Sequence, residues 1–335
     1  DILDRMKGTI SIGHVRYSTA GGSVFINAQP LVTQYVKGTL SLAHNGNLTN
    51  AISLRKKLED EGAIFQTTVD SEVIAYLIAK ERTHTPSVEE AVESVMSTIQ
   101  GGYALLVMSP RKLIAARDPY GFKPLCMGRI EDSIVFASET CALDAAGAKF
   151  IRDVLPGEIV VCDESGVRSI KTHCVREANM CIFEYIYFAR PDSRIDGKSV
   201  YEARIKAGRL LYQQHPVEAD VVIGVPESGL DAASGFSEES GIPLVRGFVK
   251  NSYIGRTFIK PKQTMRSEAV RIKLNPVESA VAGKRVVMID DSIVRGTTIA
   301  NIVRMLKDAG ATEVHVRISS PPFMHPCFYG TDVPS

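Results

Sequence analysis

The sequence lacks the features that mark membrane, secreted and nucleic-acid-binding proteins. No uninterrupted apolar run approaches the roughly 18 residues of a transmembrane helix. The formal net charge is only +1 at pH 7, so there is no broad basic surface to hold nucleic acid or an anionic membrane. Six cysteines scattered over 335 residues do not form the dense pattern of a secreted disulfide scaffold. We therefore expect a protein of the cytoplasm or of an organelle interior.

The overall amino-acid composition is that of an ordinary globular protein. Apolar residues make up 44% of the chain and charged residues 23%, and 335 residues are enough for two domains. The chain opens on Asp1, without an initiator Met or a signal-peptide pattern. We expect a fragment or a processed product.

Residues 1–178 are predicted to form a strand-rich domain. Short strands are indicated at TISIGHVRYST, LSLAHNG, YALLVMS, KLIAARD, SIVFASE and EIVVCDE. Apolar spacing near 3.6 predicts helices at LTNAISLRKKLEDEG, DSEVIAYLIAKE and SVEEAVESVMSTIQGG. Asn50 or Thr49 can cap the first of these helices, and Ser87 the third. This pattern favours stacked sheets with helices outside them.

Residues 179–335 are predicted to alternate between helix and strand. Helices are indicated at VYEARIKAGRLLYQQH, LDAASGFSEESG and GTTIANIVRMLKDAG, and strands at ADVVIGVP, IPLVRGFV, KRVVMIDD and ATEVHVRISS. Such alternation is typical of a parallel sheet with helices on both faces. Ligands of these folds bind beyond the carboxyl ends of the strands.

The segment VVMIDDSIVRGTT, at 286–298, joins a buried strand to two adjacent acids and a small polar turn. Backbone amides after Asp291 and at the start of the next helix suit a phosphate group. Two acids would repel that phosphate, so they should contact sugar hydroxyls or a hydrated Mg²⁺. A phosphorylated ribose satisfies both requirements. The alternative is an ordinary N-capped helix after a buried strand, for which one acid would be enough.

This segment resembles the phosphoribosyl-pyrophosphate (PRPP) motif of type I phosphoribosyltransferases. The resemblance implies that Asp290 and Asp291 hold the ribose hydroxyls and that residues 292–298 cradle the 5-phosphate. The implied PRPP-binding residues are Asp290, Asp291, Ser292, Arg295, Gly296, Thr297 and Thr298. Magnesium would be held through Ser228, Asp290 and Asp291.

Two further segments are expected near the same strand ends. In GVPESGLDAA, the resemblance places a pyrophosphate loop at Ser228 and Gly229, where Glu227 would be unfavourable unless Mg²⁺ intervened. A plain turn is the alternative. The basic stretch 250–273 is long for a connection, which favours a lid over the bound pyrophosphate. Its candidate binding residues are Lys250, Arg256 and Lys260, and a solvated charge run is the alternative.

The first half contains polar residues suited to an amino acid. Arg16, in IGHVRYSTAGG, can grip a small carboxylate, and Asp70 can bind an α-amino group. The Asn45 amide and the Gly46 N–H can form an oxyanion hole. Taken singly, Arg16 is also consistent with a surface ion pair, and HNGN with a hairpin turn.

Together these residues resemble the class II glutamine amidotransferases, which have an N-terminal nucleophile hydrolase fold. The resemblance implies that Arg16, Thr19 and Asp70 bind glutamine and that Asn45 and Gly46 stabilise the oxyanion. RDPYGFKPL and ASETCALD are also similar to that domain. The nucleophilic Cys that the family carries at its mature N-terminus is absent from this chain, whose first cysteine is Cys126. We interpret this as truncation rather than as loss of glutaminase activity.

The two halves in this order resemble the glutamine PRPP amidotransferase, or amidophosphoribosyltransferase, family. The resemblance implies transfer of glutamine-derived ammonia to PRPP, giving 5-phosphoribosylamine, pyrophosphate and glutamate in the first step of de novo purine biosynthesis. It also implies a homo-oligomer, either dimer or tetramer, that purine nucleotides inhibit. From the near-zero net charge we expect no nucleic-acid or membrane partner. The alternatives are another phosphoribosyltransferase with a regulatory first domain, and a PRPP sensor without transferase activity.

Two cysteines point to one branch of that family. Cys181 and Cys327 match positions that ligate a [4Fe–4S] cluster in Bacillus-like members, where two later cysteines complete the set. The resemblance thus implies a structural cluster for which this chain supplies two of the four ligands and a sequence truncated at both ends. Without the resemblance, both would be interpreted as buried apolar thiols.

Overall fold

The computed structural model describes residues 8–16, 22, 24–251, 274–293 and 296–331. The chain forms two compact units. The first contains the described residues up to Cys181, together with Ile195–Gly197 and those from Met324 onward, and the second contains Ile182–Arg194 and Lys198–Phe323. The predicted division into 1–178 and 179–335 did not include the two short later segments that belong to the first unit.

The first unit is built on a six-stranded antiparallel sheet. Its strands, in spatial order, are β1 (Leu31–Tyr35), β2 (Gly38–Leu48), β3 (Gly101–Ser109), β4 (Lys112–Arg117), β8 (Ile159–Asp163) and β9 (Gly166–Ile170). A second, three-stranded antiparallel sheet has β5 (Cys126–Ile130) between β6 (Ser133–Ala137) and β7 (Lys149–Asp153). The helices are α1 (Ala51–Asp60), α2 (Asp70–Glu81), α3 (Val88–Met96) and α4 (Thr140–Ala145).

Alternating side chains bury both faces of the large sheet. Leu105 and Val107 of β3 pack in a core with Ile74 and Ile78 of α2. Ala104 and Leu106, which alternate with them on the opposite face, pack in another core with residues of the second sheet. A period of two residues along each strand produces this division. The prediction of stacked sheets with helices outside them is confirmed.

The predicted strand at TISIGHVRYST is wrong over its described part. Residues 9–16 alternate in exposure but pair with no described strand, and an extended segment becomes a strand only when a neighbour completes its hydrogen bonds. Further along the chain, a short 3₁₀ turn at Phe25–Asn27 follows Val24.

The second unit contains a parallel sheet with the order β12 (Val221–Gly224), β15 (Arg285–Asp290) and β16 (Glu313–Ile318). Its longer helices are α5 (Val200–Gln214), α6 (Gly229–Ser240) and the helix Gly296–Asp308. Smaller elements complete the described chain: a π-helical turn Glu184–Phe188, the hairpin β10 (Arg194–Ile195) and β11 (Lys198–Ser199), the pair β13 (Phe248–Lys250) and β14 (Leu274–Pro276), and the short helix Glu278–Val281.

Helices cover both faces of this parallel sheet. Val286 and Met288 of β15 pack with Ile302 and Leu306 of the Gly296–Asp308 helix, whereas Val287 and Ile289 pack with α6 on the other face. The α/β prediction is therefore confirmed. The predicted strand at IPLVRGFV is mostly wrong, because within it only a single bridge at Leu244 and the start of β13 form ladder contacts. Among the described residues, no helix is long and apolar enough to cross a membrane.

Candidate active sites

The acid pair lies at the carboxyl end of β15, as predicted from the sequence. Asp290 is the last residue of the strand, and Asp291 is only 6% exposed. The hydroxyl groups of Ser228 and Ser292 each donate a hydrogen bond to one carboxylate oxygen of Asp291. The carbonyl oxygen of Asp290 accepts from the Ser319 N–H at 3.0 Å, so the strand end is also tied to the segment after β16.

Burial, together with electrostatic repulsion inside this pair, changes the protonation of one acid. Burial raises the pKa of Asp290, and the neighbouring Asp291 charge raises it further, to about 7. The Asp291 N–H donates to Asp290 Oδ1 at 2.9 Å, which opposes this shift only in part. A cation or hydroxyl donors beside the pair would relieve the repulsion. This is the environment expected for a sugar or Mg²⁺ site.

The predicted phosphate loop follows directly. The helix after it begins at Gly296 and is 13 residues long, with Thr297 and Thr298 exposed in its first turn. Backbone N–H groups at a helix start lack intrahelical acceptors and suit an anion. Ser292 lies at the start of the loop, whereas Arg295 lies outside the described residues.

The predicted pyrophosphate loop lies beside the acid pair. The Val225 N–H donates to the Ile289 carbonyl at 2.9 Å, and α6 starts at Gly229. A Cβ atom on Gly229 would be 2.5 Å from that same Ile289 oxygen, so only glycine fits here. Ser228 contacts Asp291 through its hydroxyl, which joins the two loops.

Lys250 explains how Glu227 is accommodated at this loop. Lys250 Nζ lies 3.1 Å from Glu227 Oε1, and the Glu227 side chain is 71% exposed. The Lys250 charge partly neutralises Glu227, which would otherwise be unfavourable beside the predicted pyrophosphate position. Arg256 and Lys260, the other candidate lid residues, lie outside the described residues.

In the first unit, β2 carries the two predicted oxyanion residues. A Cβ atom on Gly46 would lie 2.0 Å from the Gly102 carbonyl of β3, and φ at Gly46 is +145°. Both facts require glycine at this position. The half-buried Asn45 side chain forms no hydrogen bond to any other residue that the structure describes, so its amide remains available to a ligand.

Asp70 begins α2 and contacts both ends of the strand segment that contains these residues. Its Oδ2 accepts from the Leu48 N–H at 2.9 Å, and its Oδ1 lies 3.6 Å from His44 Nδ1. Burial raises the pKa of Asp70, but the His44 interaction and the N–H groups of Leu48 and Ser71 outweigh burial and lower it overall. Asp70 is therefore a carboxylate at neutral pH and can bind an ammonium group.

Arg16 and two histidines complete the described part of this region. Arg16 is half-buried and Nη1 donates to the Gly22 carbonyl at 3.1 Å. Burial, and then the charges of His44 and Arg16, lower the pKa of His14. These shared charge effects indicate that the three side chains lie in one region. Thr19 lies outside the described residues. The sequence reasoning missed His44, whose buried contacts connect segments distant along the chain.

The first cysteine of the chain is not a substitute nucleophile. Cys126 is buried in β5, where its thiol donates to the Ala137 carbonyl at 3.3 Å. Burial, with the nearby Asp153 charge, raises its pKa to about 12. Cys126 is thus a protonated core thiol.

The RDPYGFKPL segment has a structural role. Arg117 is fully buried, and its guanidinium pairs with Asp196 at 2.7 Å while also donating to the carbonyls of Lys123, Val154 and Gly121. The neighbouring buried Asp118 accepts backbone N–H groups from the turn that follows. The segment therefore holds its own turn and the Asp196 segment in place.

Cys181 and Cys327 both belong to the first unit. Burial raises the pKa of Cys327, but the Thr331 hydroxyl, backbone N–H groups and the Lys123 charge outweigh burial and lower it overall. In the described part of the chain, no group of three or more His, Cys, Asp or Glu side chains is arranged to hold a metal ion. A [4Fe–4S] cluster usually takes four Cys ligands, and the prediction that Cys181 and Cys327 supply two of them stays a prediction.

Comparisons with known proteins identify two domains in this chain. A family model described as a glutamine amidotransferase domain matches residues 14–145, and one described as a phosphoribosyl transferase domain matches residues 198–319. The amidophosphoribosyltransferase of Bacillus subtilis is 51% identical over 98% of this chain and 69% of that protein. The one from Methanocaldococcus jannaschii is 49% identical over 99% of this chain and 74% of its own length.

Solved structures show the same architecture. A structure described as the allosteric regulatory enzyme of purine biosynthesis superposes with a TM-score of 0.88 at 51% identity, covering 96% of this chain and 69% of that one. The B. subtilis glutamine PRPP amidotransferase complexed with ADP and GMP gives a TM-score of 0.87 at 49% identity, covering 96% and 70%.

The fold and the two matched domains define a glutamine amidotransferase joined to a phosphoribosyltransferase. The chain belongs to the amidophosphoribosyltransferase family. Enzymes of this family transfer glutamine-derived ammonia to PRPP, giving 5-phosphoribosylamine, pyrophosphate and glutamate, the first step of purine biosynthesis.

Proposed function

We propose that the acid pair, the Ser292–Thr298 loop and the Ser228–Gly229 loop form the PRPP site of this chain. The observation that carries the proposal is the contact between the two loops, in which the Ser228 hydroxyl donates to Asp291 beside the end of β15. A ligand with a pyrophosphate and a 5-phosphate on one ribose spans two anion sites on either side of an acid pair. The arrangement fits PRPP better than a ligand with a single phosphate.

The residues act mainly by binding and charge placement. Asp290 and Asp291 accept hydrogen bonds from the ribose hydroxyls, and their negative charge favours a developing positive charge on the sugar ring. The N–H groups of the loop and of the first turn at Gly296 hold the 5-phosphate. Lys250, already paired with Glu227, adds positive charge where pyrophosphate departs.

Magnesium fits this site as an ion that arrives with the substrate. Mg²⁺ is usually held by one or two carboxylates together with substrate phosphates, so the acid pair with the Ser228 hydroxyl is sufficient. Burial and then the neighbouring Asp291 charge raise the pKa of Asp290, and a divalent cation beside the pair would relieve that repulsion. When bound, the ion would supply charge neutralisation of the leaving pyrophosphate.

We propose that the first unit binds glutamine through Arg16, Thr19 and Asp70. Arg16 would hold the α-carboxylate and Asp70 the α-amino group, while Asn45 and Gly46 stabilise the oxyanion formed at the side-chain amide. The lowered pKa of Asp70 supports its role, and so does the Asn45 amide, which forms no hydrogen bond to another residue in the described part of the chain.

Family membership also supports proposals about the regulation and the assembly of this chain. The relative complexed with ADP and GMP supports binding of purine nucleotides by this chain, and we propose that they inhibit it. A homo-oligomer in the cytoplasm or an organelle interior remains part of the proposal. A [4Fe–4S] cluster on Cys181 and Cys327 remains a prediction, because the described residues supply too few ligands for it.

The experiment that tests the transferase proposal uses ammonia in place of glutamine. The chain is incubated with isotope-labelled PRPP, Mg²⁺ and ammonia, and release of pyrophosphate and labelled phosphoribosylamine is measured. Formation of both supports transfer, whereas binding of PRPP without turnover supports the sensor alternative. The variant Asp308→Asn, at the exposed far end of the Gly296–Asp308 helix, is the matched acid control and should keep the wild-type rate.

A further inference from the structure

One carboxylate contacts both flanks of the predicted oxyanion segment. Asp70 Oδ2 accepts from the Leu48 N–H at 2.9 Å, and Asp70 Oδ1 lies 3.6 Å from His44 Nδ1. Asn45 and Gly46 lie between these two attachment points on β2. The group proposed to bind the α-amino group of glutamine therefore also holds the strand that carries the oxyanion hole.

His44 is fixed in a defined orientation beside that carboxylate. The residue is only 4% exposed, and its backbone N–H donates to Gln29 Oε1 at 2.9 Å. Its Nδ1 lies 3.1 Å from Ser71 Oγ, which also accepts from Gln29 Nε2 at 3.1 Å. Gln29 and Ser71 thus hold the imidazole so that Nδ1 faces the first turn of α2.

The other imidazole nitrogen argues against a purely packing role. Nε2 of His44 is buried without a hydrogen-bond partner among the residues that the structure describes. Burying an unsatisfied polar atom costs free energy, and an apolar side chain of similar size would avoid that cost. A histidine here is explained if its Nδ1 contact with Asp70 contributes to function.

We propose that His44 is a positioning residue for glutamine: it orients the Asp70 carboxylate toward the substrate α-amino group and couples that carboxylate to the Asn45–Gly46 segment. The inference rests on the proposed role of Asp70 in binding the α-amino group. In this arrangement, an Asp70 anchored at Leu48 and His44 cannot rotate away from the ligand without breaking contacts to β2. The Asp70 carboxylate then determines both the recognition of the substrate amine and the geometry of the oxyanion hole.

Two variants and two ligands separate this role from simple packing. His44→Leu removes both nitrogens, whereas His44→Asn keeps an N–H donor near the position of Nδ1. Dissociation constants are measured by calorimetry for L-glutamine and for glutaramate, the analogue in which hydrogen replaces the α-amino group. We expect His44→Leu to weaken glutamine binding about tenfold, the size typical of one hydrogen bond to a charged group. Glutaramate binding should change less than about twofold, and His44→Asn should restore most of the glutamine affinity.

The variant Asp70→Asn distinguishes failure of this inference from failure of the proposed function. If Asp70 binds the amine, Asp70→Asn weakens glutamine binding and spares glutaramate, and adding His44→Leu to it causes no further loss. Equal weakening of both ligands by His44→Leu would show a structural role only and would overturn the inference. If glutamine and glutaramate each bind Asp70→Asn as tightly as they bind wild type, the amine-binding role of Asp70 itself is overturned instead.

A measurement on the unmodified chain covers the case in which His44→Leu does not fold. The chain is labelled with ¹⁵N-histidine, and the His44 ring signals are assigned with the His44→Asn variant. Glutamine should shift the His44 Nδ1 resonance and glutaramate should leave it nearly unchanged. A His44 signal that responds identically to both ligands contradicts the proposal.

Discussion

The hydroxyl group of Ser228 donates a hydrogen bond to the Asp291 carboxylate, although 62 residues lie between them in the sequence. This bond joins the loop after β12 to the end of β15, the two adjacent parallel strands of the second unit. A second hydroxyl, from Ser292, occupies the other oxygen of the same carboxylate. Asp291 is thereby held in one orientation beside the more exposed Asp290.

Removing the Ser228 hydroxyl should loosen the acid pair. Ser228→Ala deletes one of the two hydroxyl donors to a nearly buried carboxylate, and such a loss costs about 1–3 kcal/mol. We expect the KM for PRPP in the ammonia-dependent reaction to rise about tenfold. Ser228→Thr keeps the hydroxyl and should lie much closer to wild type. An unchanged KM in Ser228→Ala would show that the bond plays no part in binding PRPP.

The raised pKa of Asp290 should make stability depend on pH. Asp290 titrates near 7 in the folded chain, against an ordinary value of 3.8, so its proton stabilises the folded state. This contribution is complete below about pH 4 and is lost as the pH rises through about 7. Asp290→Asn, which stays neutral, should therefore be more stable than wild type at pH 8 by a few kcal/mol, on the order expected from such a shift.

Urea unfolding of the ligand-free chain at pH 5 and pH 8 measures this effect. Wild type should lose more stability between these two values than Asp290→Asn does. The exposed control Asp308→Asn should behave as wild type. If the free energy of unfolding changes by the same amount between these pH values in all three proteins, the pKa of Asp290 is not raised.

Gly46 should tolerate no side chain. A Cβ atom there would lie 2.0 Å from the Gly102 carbonyl, in a backbone conformation at φ +145° that favours glycine. Gly46→Ala should destabilise the first unit by more than about 2 kcal/mol and weaken glutamine binding. Gly13→Ala is the control, because its Cβ would meet nothing within 4 Å. Equal stability of the two variants, measured by thermal unfolding, would contradict the structure at this strand.

The sequence predicted the elements whose patterns are long and local. The helix at 70–81 was predicted with the bounds observed for α2, because its apolar spacing is unbroken. Ser87 caps α3 as expected, accepting from the Glu90 N–H. The acid pair was found at the end of β15 because an apolar run ends there and two acids follow.

Features that depend on distant partners could not be predicted in this way. Asn50 occupies the start of α1, but its side chain bonds to Thr98 and Gln100 across the chain rather than capping the helix. Strands such as β7 and β9 are short and carry mixed polar residues, so only their neighbours make them strands. His44 contacts Asp70 and Ser71 from another segment, and no local pattern indicates it.

The most direct test of the account is the double variant Asp290→Asn/Asp291→Asn. Equilibrium binding of labelled PRPP with Mg²⁺ and ammonia-dependent pyrophosphate release are measured on the same preparations as wild type and Asp308→Asn. We predict that the double variant loses at least about a hundredfold in PRPP affinity and has no detectable product, because two charged partners of the ribose and its metal ion are gone. Unchanged affinity and product formation in the double variant would contradict the assignment of this strand end as the PRPP site.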